Sequence, residues 1–116
     1  LTERTAFGQN LSAFQGLTHP LAEYQTYVHA ARMQCYHALW LKANNLPHNA
    51  EAAMNKWWGP KLAFDVGKQC LLSPGSTGWG EDLPFAQRLR DVLGLQIGDG
   101  TAQIMKNIIA REYLPS

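Results

Sequence analysis

The amino-acid sequence predicts an all-α domain, a four-helix bundle whose successive helices run up and down. Four segments carry apolar residues at spacings of three and four, which place those residues on one face of a helix. None of these segments shows the period-two alternation of a half-buried strand. Clusters of Gly, Pro, Ser and Asn separate them, and a chain of 116 residues is long enough for one core. We therefore expect one helical domain over residues 1–116.

The first long helix is predicted from about Leu17 to the turn at residues 44–47. Two starts are open: a capping box that begins at Ser12, or Thr18 shortly ahead of a proline, which is tolerated in a first turn. The apolar stripe repeats at intervals of four and three residues. It comprises Leu17, Leu21, Tyr24, Val28, Ala31, Cys35 and Ala38.

The second long helix is predicted from about Ala50 to Leu72. Gly59–Pro60 interrupts it, because a proline inside a helix lacks the N–H that the carbonyl of Lys56 would accept, and its ring crowds that carbonyl. We expect either a kink or two shorter helices that meet at this point. Residues 73–80 are rich in Gly, Ser and Pro and are predicted to form a loop.

Two shorter helices complete the bundle. The first follows Pro84, carries an apolar stripe as far as Leu93 and is expected to end near Gly94. A Gly-Asp-Gly turn precedes the last helix, which begins after Thr101 and is stopped by Pro115.

Composition argues against several classes of function. Ten Lys and Arg balance nine Asp and Glu without a basic cluster, so neither a dedicated nucleic-acid binder nor a polybasic membrane anchor is indicated. No apolar run approaches the roughly 20 residues of a membrane span. Cys35 and Cys70 lack CxxC spacing, so buried free thiols are favoured over a disulfide or metal pair, which predicts a cytoplasmic protein.

The chain opens on Leu1 rather than Met. The residues that follow have neither the charged nor the apolar region of a signal peptide. We expect a fragment of a longer protein, in which residues 1–10 form the end of a preceding helix and a loop.

The four histidines do not have the spacing of a metal site. His29 and His37 lie eight residues apart, which rotates them by roughly 80° around a helix. Neither HxxxH nor ExxH occurs, and the phosphate-binding loops and the GxSxG elbow are also absent from the sequence. We therefore expect no metal centre.

The turn at residues 98–101 is the more informative candidate, because it places Asp99 between two glycines ahead of a helix. One interpretation is a helix cap, in which the carboxylate satisfies backbone N–H groups. The other is a general base, since the flanking glycines let a substrate approach and a carboxylate can remove a proton from an acidic C–H. Both interpretations stay open on the residues alone.

A series of short motifs runs in order along nearly the whole chain. It consists of RxxFG at Arg4–Gly8, then Gln15, Lys56 in the second long helix, Arg90–Asp91, GTxQI from Gly100, and IAR ending at Arg111. In order and spacing these motifs resemble the C-terminal helical domain of acyl-CoA dehydrogenases. The resemblance implies that the N-terminal helical and middle β domains of such an enzyme are absent from this chain.

The resemblance also implies an activity, the FAD-dependent α,β-desaturation of an acyl-CoA thioester. A carboxylate, here Asp99, would take the α-proton, and the flavin would take the β-hydride. The RxxFG residues and the following Gln would contact the ADP half of FAD bound mainly by a neighbouring subunit. The positions that would contact FAD are Arg4, Phe7, Gln15, Gly75, Thr101 and Gln103.

Three departures from the family pattern bear on that activity. Asp99 stands where many relatives have the longer Glu, and an error of about 1 Å can cost roughly a hundredfold in rate. In some relatives the base instead lies on a helix before RxxFG, outside this chain. Leu72 stands where relatives have a flavin-contacting Gln, and Ser76 replaces the second glycine of that loop. The third departure is Gly59–Pro60.

These departures keep a second hypothesis open, a non-catalytic partner subunit that completes a neighbour's FAD site within a hetero-oligomer. The main hypothesis implies an acyl-CoA substrate and an electron-transfer acceptor, as in fatty acid metabolism. The apolar surface, which includes the four tryptophans, exceeds what four helices of this length readily bury, so some of it should face another domain or subunit. The resemblance implies a homo-oligomer, either a dimer or a tetramer. The fragment by itself is expected to be inactive.

Overall fold

The structure, a computed structural model, describes residues 1–114, so the predicted helix stop at Pro115 lies outside the described residues. The all-α prediction is confirmed: α-helices occupy most of the described chain. The elements are β1 (Thr5–Ala6), β2 (Gln9–Asn10), a 3-10 turn (Leu11–Ala13), α1 (Gln15–Ala43), α2 (Asn49–Leu72), α3 (Ser76–Trp79), α4 (Phe85–Ile97) and α5 (Ala102–Tyr113).

The helix α2 is the centre of the domain, since α1, α4 and α5 all pack against it. Leu89 of α4 lies beside Gly67 of α2, and the carbonyl of Leu95, further along α4, lies beside Lys56. The next helix, α5, packs against the first turns of α2. The two short helices therefore run antiparallel to α2, one after the other. The domain measures 59 × 27 × 24 Å. The buried hydrophobic residues are Leu11, Ala50, Ala53, Leu62 and Leu71, four of them on α2.

The first ten residues differ from the prediction. The expected end of a helix is wrong, because β1 and β2 form an antiparallel hairpin in which Thr5 pairs with Asn10. Phe7 and Gly8 form its two-residue turn with φ of 50° and 80°. Two consecutive positive φ angles are what a tight hairpin requires, and glycine at the second position favours it.

Neither predicted start of α1 is correct. The helix begins at Gln15, and its N-cap is Phe14, without a side-chain cap. The 3-10 turn occupies the position of the expected capping box, and the Phe14 carbonyl accepts the N–H of Leu17 at 2.9 Å and of Thr18 at 3.1 Å. Pro20 therefore lies inside the helix.

Near the end of α1, the residue that faces α2 is Gln34, one position before the predicted Cys35. Asn55 of α2 donates a 3.2 Å hydrogen bond to the backbone carbonyl of Gln34, so Gln34 faces α2. Its Oε1 atom is buried without a hydrogen-bond partner among residues 1–114. Cys35 is exposed and Cys70 half-buried, so the expectation that Cys35 is a buried thiol is wrong.

The helix α2 is continuous across Gly59–Pro60, so the alternative of two shorter helices is wrong. A proline removes one backbone hydrogen bond, and the packing of α2 against three other helices holds the rest. The predicted loop at residues 73–80 contains the one-turn helix α3. The helix α4 passes through Gly94 and ends at Ile97, where the N–H of Gly98 donates to the Gly94 carbonyl at 2.9 Å.

Candidate functional site

Four of the predicted cofactor residues lie at one end of the domain, in a group we call the hairpin cluster: Arg4, Phe7, Gln15 and Gly75. Arg4 precedes β1, and its Nη1 donates to the backbone carbonyl of Pro74 in the loop after α2. Gly75 follows with φ of 67°, and a Cβ there would lie 2.8 Å from Arg4 Nη1. The structure thus brings the RxxFG arginine against the loop glycine, although 70 residues separate Arg4 from Pro74.

The aromatic residue of the hairpin cluster projects from the surface. Phe7 is 97% exposed, and its ring meets the ring of Phe14 edge-on at a centroid distance of 6.4 Å. Gln15 follows Phe14 directly and is exposed as the first residue of α1. The hairpin cluster therefore offers a planar guanidinium, a free aromatic face and a side-chain amide, which are suited to a phosphate and a flat ring.

The remaining predicted residues lie in or just after the turn between α4 and α5, residues 98–101, which we call the base turn. Asp99 is exposed with φ of 58°, and Gly100 has φ of 107°. The N-cap of α5 is Thr101, and Gln103 is exposed in its first turn. The interpretation of Asp99 as the helix cap is therefore wrong, and its carboxylate has no hydrogen-bond partner among residues 1–114.

The hairpin cluster and the base turn are well separated. The hairpin cluster adjoins the loop that follows Leu72, whereas the end of α4 is hydrogen-bonded to Lys56. Lys56 and Leu72 are sixteen positions apart on α2, which corresponds to about 24 Å at the rise of an α-helix. The structure does not bring Asp99, Thr101 and Gln103 into contact with the hairpin cluster.

Two side chains of α2 fix the surroundings of the base turn. Lys56 Nζ donates a hydrogen bond to the Leu95 carbonyl at 2.6 Å. Lys106 Nζ of α5 lies over the ring of Trp57, 4.6 Å from the ring centroid. Trp57 therefore packs α5 against α2. The sequence placed Lys56 within a motif, but its helical periodicity gave no sign that it reaches α4.

The main grooves do not contain Asp99. A largely apolar groove of about 420 Å³ lies between α1, α2 and α4, and is lined by residues that include Val28, Val66, Cys70, Phe85 and Val92. A second groove of about 490 Å³ lies between α2 and α5. Since the base turn stands outside both, a substrate at Asp99 would need a further wall from another part of the protein or from another subunit.

The two departures in the loop region after α2 occupy exposed positions. Leu72 is 57% exposed at the end of α2, and Ser76 begins α3. Gly78 is buried, and a Cβ there would overlap the backbone carbonyl oxygen of Leu71. This close approach explains the glycine at position 78, whereas Leu72 offers no hydrogen bond to a ligand.

Other polar groups contribute little to either group of residues. Lys61 donates a 2.7 Å hydrogen bond to Asp65 one turn along α2, and this bond, with the attraction of the carboxylate, raises the pKa of Lys61 above its usual value. Among residues 1–114 no three His, Cys, Asp or Glu side chains are grouped as ligands for a metal ion. No helix in that range is long and apolar enough to cross a bilayer.

Comparisons with known proteins agree with this architecture. The family model described as acyl-CoA dehydrogenase, C-terminal domain, matches residues 1–114. The chain is 34% identical over 112 residues to the probable acyl-CoA dehydrogenase YngJ of Bacillus subtilis strain 168, covering 97% of this chain and 30% of YngJ.

Solved structures match equally well. The acyl-CoA dehydrogenase from Geobacillus kaustophilus has a TM-score of 0.92 at 32% identity, covering 97% of this chain and 30% of that chain. A chain from work on the electron transferring flavoprotein of Acidaminococcus fermentans has a TM-score of 0.94 at 33% identity, covering 99% and 30%. The chain thus spans about 30% of the length of these relatives.

Proposed function

Because the chain belongs to the acyl-CoA dehydrogenase family, as its C-terminal domain, we propose that it serves an enzyme that desaturates an acyl-CoA thioester between the α and β carbons. The observation that carries this proposal is Asp99, an exposed carboxylate that has no hydrogen-bond partner within residues 1–114. It lies between two glycines and directly before the GTxQ motif. Such a carboxylate is free to accept a proton from a substrate.

The residues of the hairpin cluster fit the ADP half of FAD. Arg4 has a planar guanidinium that suits a pyrophosphate, and the exposed Phe7 ring suits stacking on adenine. Gln15 has an amide that can donate and accept hydrogen bonds, and Gly75 keeps the loop backbone free of a side chain. We assign these four residues to FAD bound mainly by a neighbouring subunit, and Thr101 and Gln103 to FAD at the base turn.

In this proposal FAD supplies the acceptor for the β-hydride when it is bound. Asp99 contributes the other half of the reaction, because its carboxylate removes the α-proton of the thioester and holds it. Gly98 and Gly100 keep side chains away from the carboxylate, so a thioester can approach it closely. The remaining domains of the enzyme would cover the base turn and exclude water from it.

The direct test is Asp99→Asn in the full-length enzyme, which keeps the shape of the side chain and removes the base. We expect flavin bleaching by acyl-CoA to slow by about 100-fold or more, because general-base catalysis contributes roughly 10²–10⁴-fold. Stopped-flow absorbance measures the rate, and the flavin content should match that of the unaltered enzyme. Unchanged bleaching would exclude Asp99 as the base.

A second candidate function is a non-catalytic partner subunit. The observation that favours it is Leu72, which presents an exposed apolar side chain where relatives have a flavin-contacting Gln. This subunit would place the hairpin cluster against a neighbour's FAD and stabilise a hetero-oligomer. Purified alone at full length, it would lack stoichiometric flavin, whereas tightly bound FAD together with turnover would exclude it.

The proposed enzyme also needs partners. Reoxidation of the flavin requires an electron-transfer acceptor, and the exposed apolar residues of the domain favour assembly into a homo-oligomer, a dimer or tetramer, or into a hetero-oligomer. A cytoplasmic location stays a prediction from the sequence.

A further inference from the structure

The side chain of Lys56 reaches the last turn of α4, immediately before the base turn. Its Nζ donates a 2.6 Å hydrogen bond to the backbone carbonyl of Leu95. In a continued helix that carbonyl would accept the N–H of Asp99, four residues further on. The chain leaves the helix instead: Gly98 has φ of −64° and ψ of 146°, and Asp99 has φ of 58°. Lys56 thus supplies the donor that the backbone of Asp99 does not.

The charge and packing of Lys56 suit this role. The last carbonyls of α4 carry the negative end of the helix dipole, so an ammonium group is stabilised there. Lys56 is half-buried, and its neighbour Trp57 contacts Lys106 of α5. Lys56 and Trp57, which are adjacent on α2, therefore contact α4 and α5, the helices before and after the base turn.

The far side of the base turn is held separately. Gly100 has φ of 107°, and the methyl group of Met105 lies 2.6 Å from the position that a Cβ would take there. Since α5 restrains the turn after Asp99, the conformation of Asp99 depends on where α4 stops.

We propose that Lys56 is a positioning residue for Asp99, because its hydrogen bond to Leu95 ends α4 and keeps the carboxylate in the base turn. The inference rests on the proposed function, in which Asp99 takes the α-proton. Without this donor, the Leu95 carbonyl gains a partner when α4 extends through Gly98 and the N–H of Asp99 donates to it. That extension takes ψ of Gly98 from 146° to the helical value of about −42°, which turns the peptide plane ahead of Asp99 and redirects its carboxylate.

The test is Lys56→Met in the full-length enzyme, which keeps the length of the side chain and removes the donor. We expect the limiting rate of flavin reduction by acyl-CoA to fall about 10- to 100-fold, because small errors in the position of a base are costly. The apparent Kd for acyl-CoA and the flavin content should change less than twofold. Lys56→Arg should recover most of the rate, and Lys68→Met, on an exposed position of the same helix, should leave it unchanged.

Two further measurements separate positioning from general stability. Hydrogen exchange at the amide of Asp99 should slow in Lys56→Met and not in Lys68→Met, because the extended helix gives this N–H a hydrogen bond to the Leu95 carbonyl. In an Asp99→Asn background, Lys56→Met should cause no further loss of rate, because the two residues act through one carboxylate. If the Met variant does not fold, Lys56→Gln, whose side chain is too short to reach Leu95, carries the same expectations.

The outcomes distinguish this inference from the proposed function. If Asp99→Asn leaves the rate unchanged, the proposed function fails. If Asp99→Asn slows the reaction but Lys56→Met does not, only the role of Lys56 is overturned. The role of Lys56 is also overturned if Lys56→Met lowers the rate equally in the unaltered enzyme and in the Asp99→Asn background. It is likewise overturned if Lys56→Arg does not restore the rate.

Discussion

At the scale of single residues, the same side-chain types have different roles according to exposure. Phe7 projects almost wholly into solvent from a hairpin turn, whereas Phe14 lies half-buried behind it. An exposed phenyl ring adds little to the free energy of folding, because little of its surface is removed from water. Phe7 is therefore free to serve a ligand, and its removal should leave the domain stable.

Phe7→Ala in the full-length enzyme should weaken FAD binding by about 5- to 100-fold, since the stacking of a base on an aromatic ring contributes roughly 1–3 kcal/mol. Fluorescence titration of the apoprotein with FAD measures the Kd. Phe7→Tyr retains the ring and should bind FAD normally, and the unfolding temperature of the apoprotein should be the same in both variants. Equal FAD affinity in the Ala variant would remove Phe7 from the cofactor site.

At the scale of elements, the junction between α2 and α3 depends on close backbone packing. The N–H of Gly78 donates to the Gly75 carbonyl at 3.0 Å, and its Cα lies against the carbonyl of Leu71. Gly75 in turn lies against Arg4, so this junction sets where the loop meets the hairpin. Gly94, in the interior of α4, has no such contact. A Cβ at position 94 would have no atom of a neighbouring described residue within 4 Å.

Gly78→Ala should destabilise the domain by about 1–3 kcal/mol, because the added methyl group overlaps a backbone carbonyl that cannot move without shifting α2. Gly94→Ala should instead stabilise it by about 0.5–1 kcal/mol, as expected for alanine replacing glycine inside a helix. Denaturant titration followed by circular dichroism measures both variants in the full-length enzyme. A loss in the Gly94 variant equal to that in the Gly78 variant would contradict the packing argument.

At the scale of the whole molecule, the domain buries few apolar residues for its length. The described core consists of five hydrophobic residues, and several large apolar side chains of α1 are exposed, including Tyr36, Leu39 and Trp40. Leu39 and Trp40 follow Tyr36 by three and four residues, so the three side chains lie on one face of the helix. An apolar face of this kind is typical of a surface that packs against another domain or subunit.

Leu39→Glu should therefore lower the oligomeric state of the full-length enzyme, because a carboxylate would be buried without a partner in the interface. Light scattering coupled to size-exclusion chromatography measures the mass. Gln87→Glu, which adds the same charge at an exposed position on α4, is the matched control and should leave the mass unchanged. If Leu39→Glu assembles normally, the exposed face of α1 is not the interface.

The limits of sequence-based prediction are visible in particular elements. The long helices were located within a few residues, because the period of apolar residues is a local signal. The start of α1 and the end of α4 were less accurate, because α1 begins at Gln15 and α4 continues past Gly94 to Ile97. The inward position expected at Cys35 lies at Gln34, because a partner helix decides which side faces inward. The roles of Asp99 and of the FAD-contacting residues stay predictions, although the structure places them in two separate groups.

The sequence by itself determined the helical class and the family, because periodicity, breakers and ordered motifs are properties of neighbouring residues. Only the tertiary structure decided that Arg4 meets Gly75, that α2 is central, and that Lys56 reaches Leu95. These contacts join residues 39 or more positions apart, and their geometry depends on how whole helices pack. A local pattern contains no information on the angle and distance at which two helices meet.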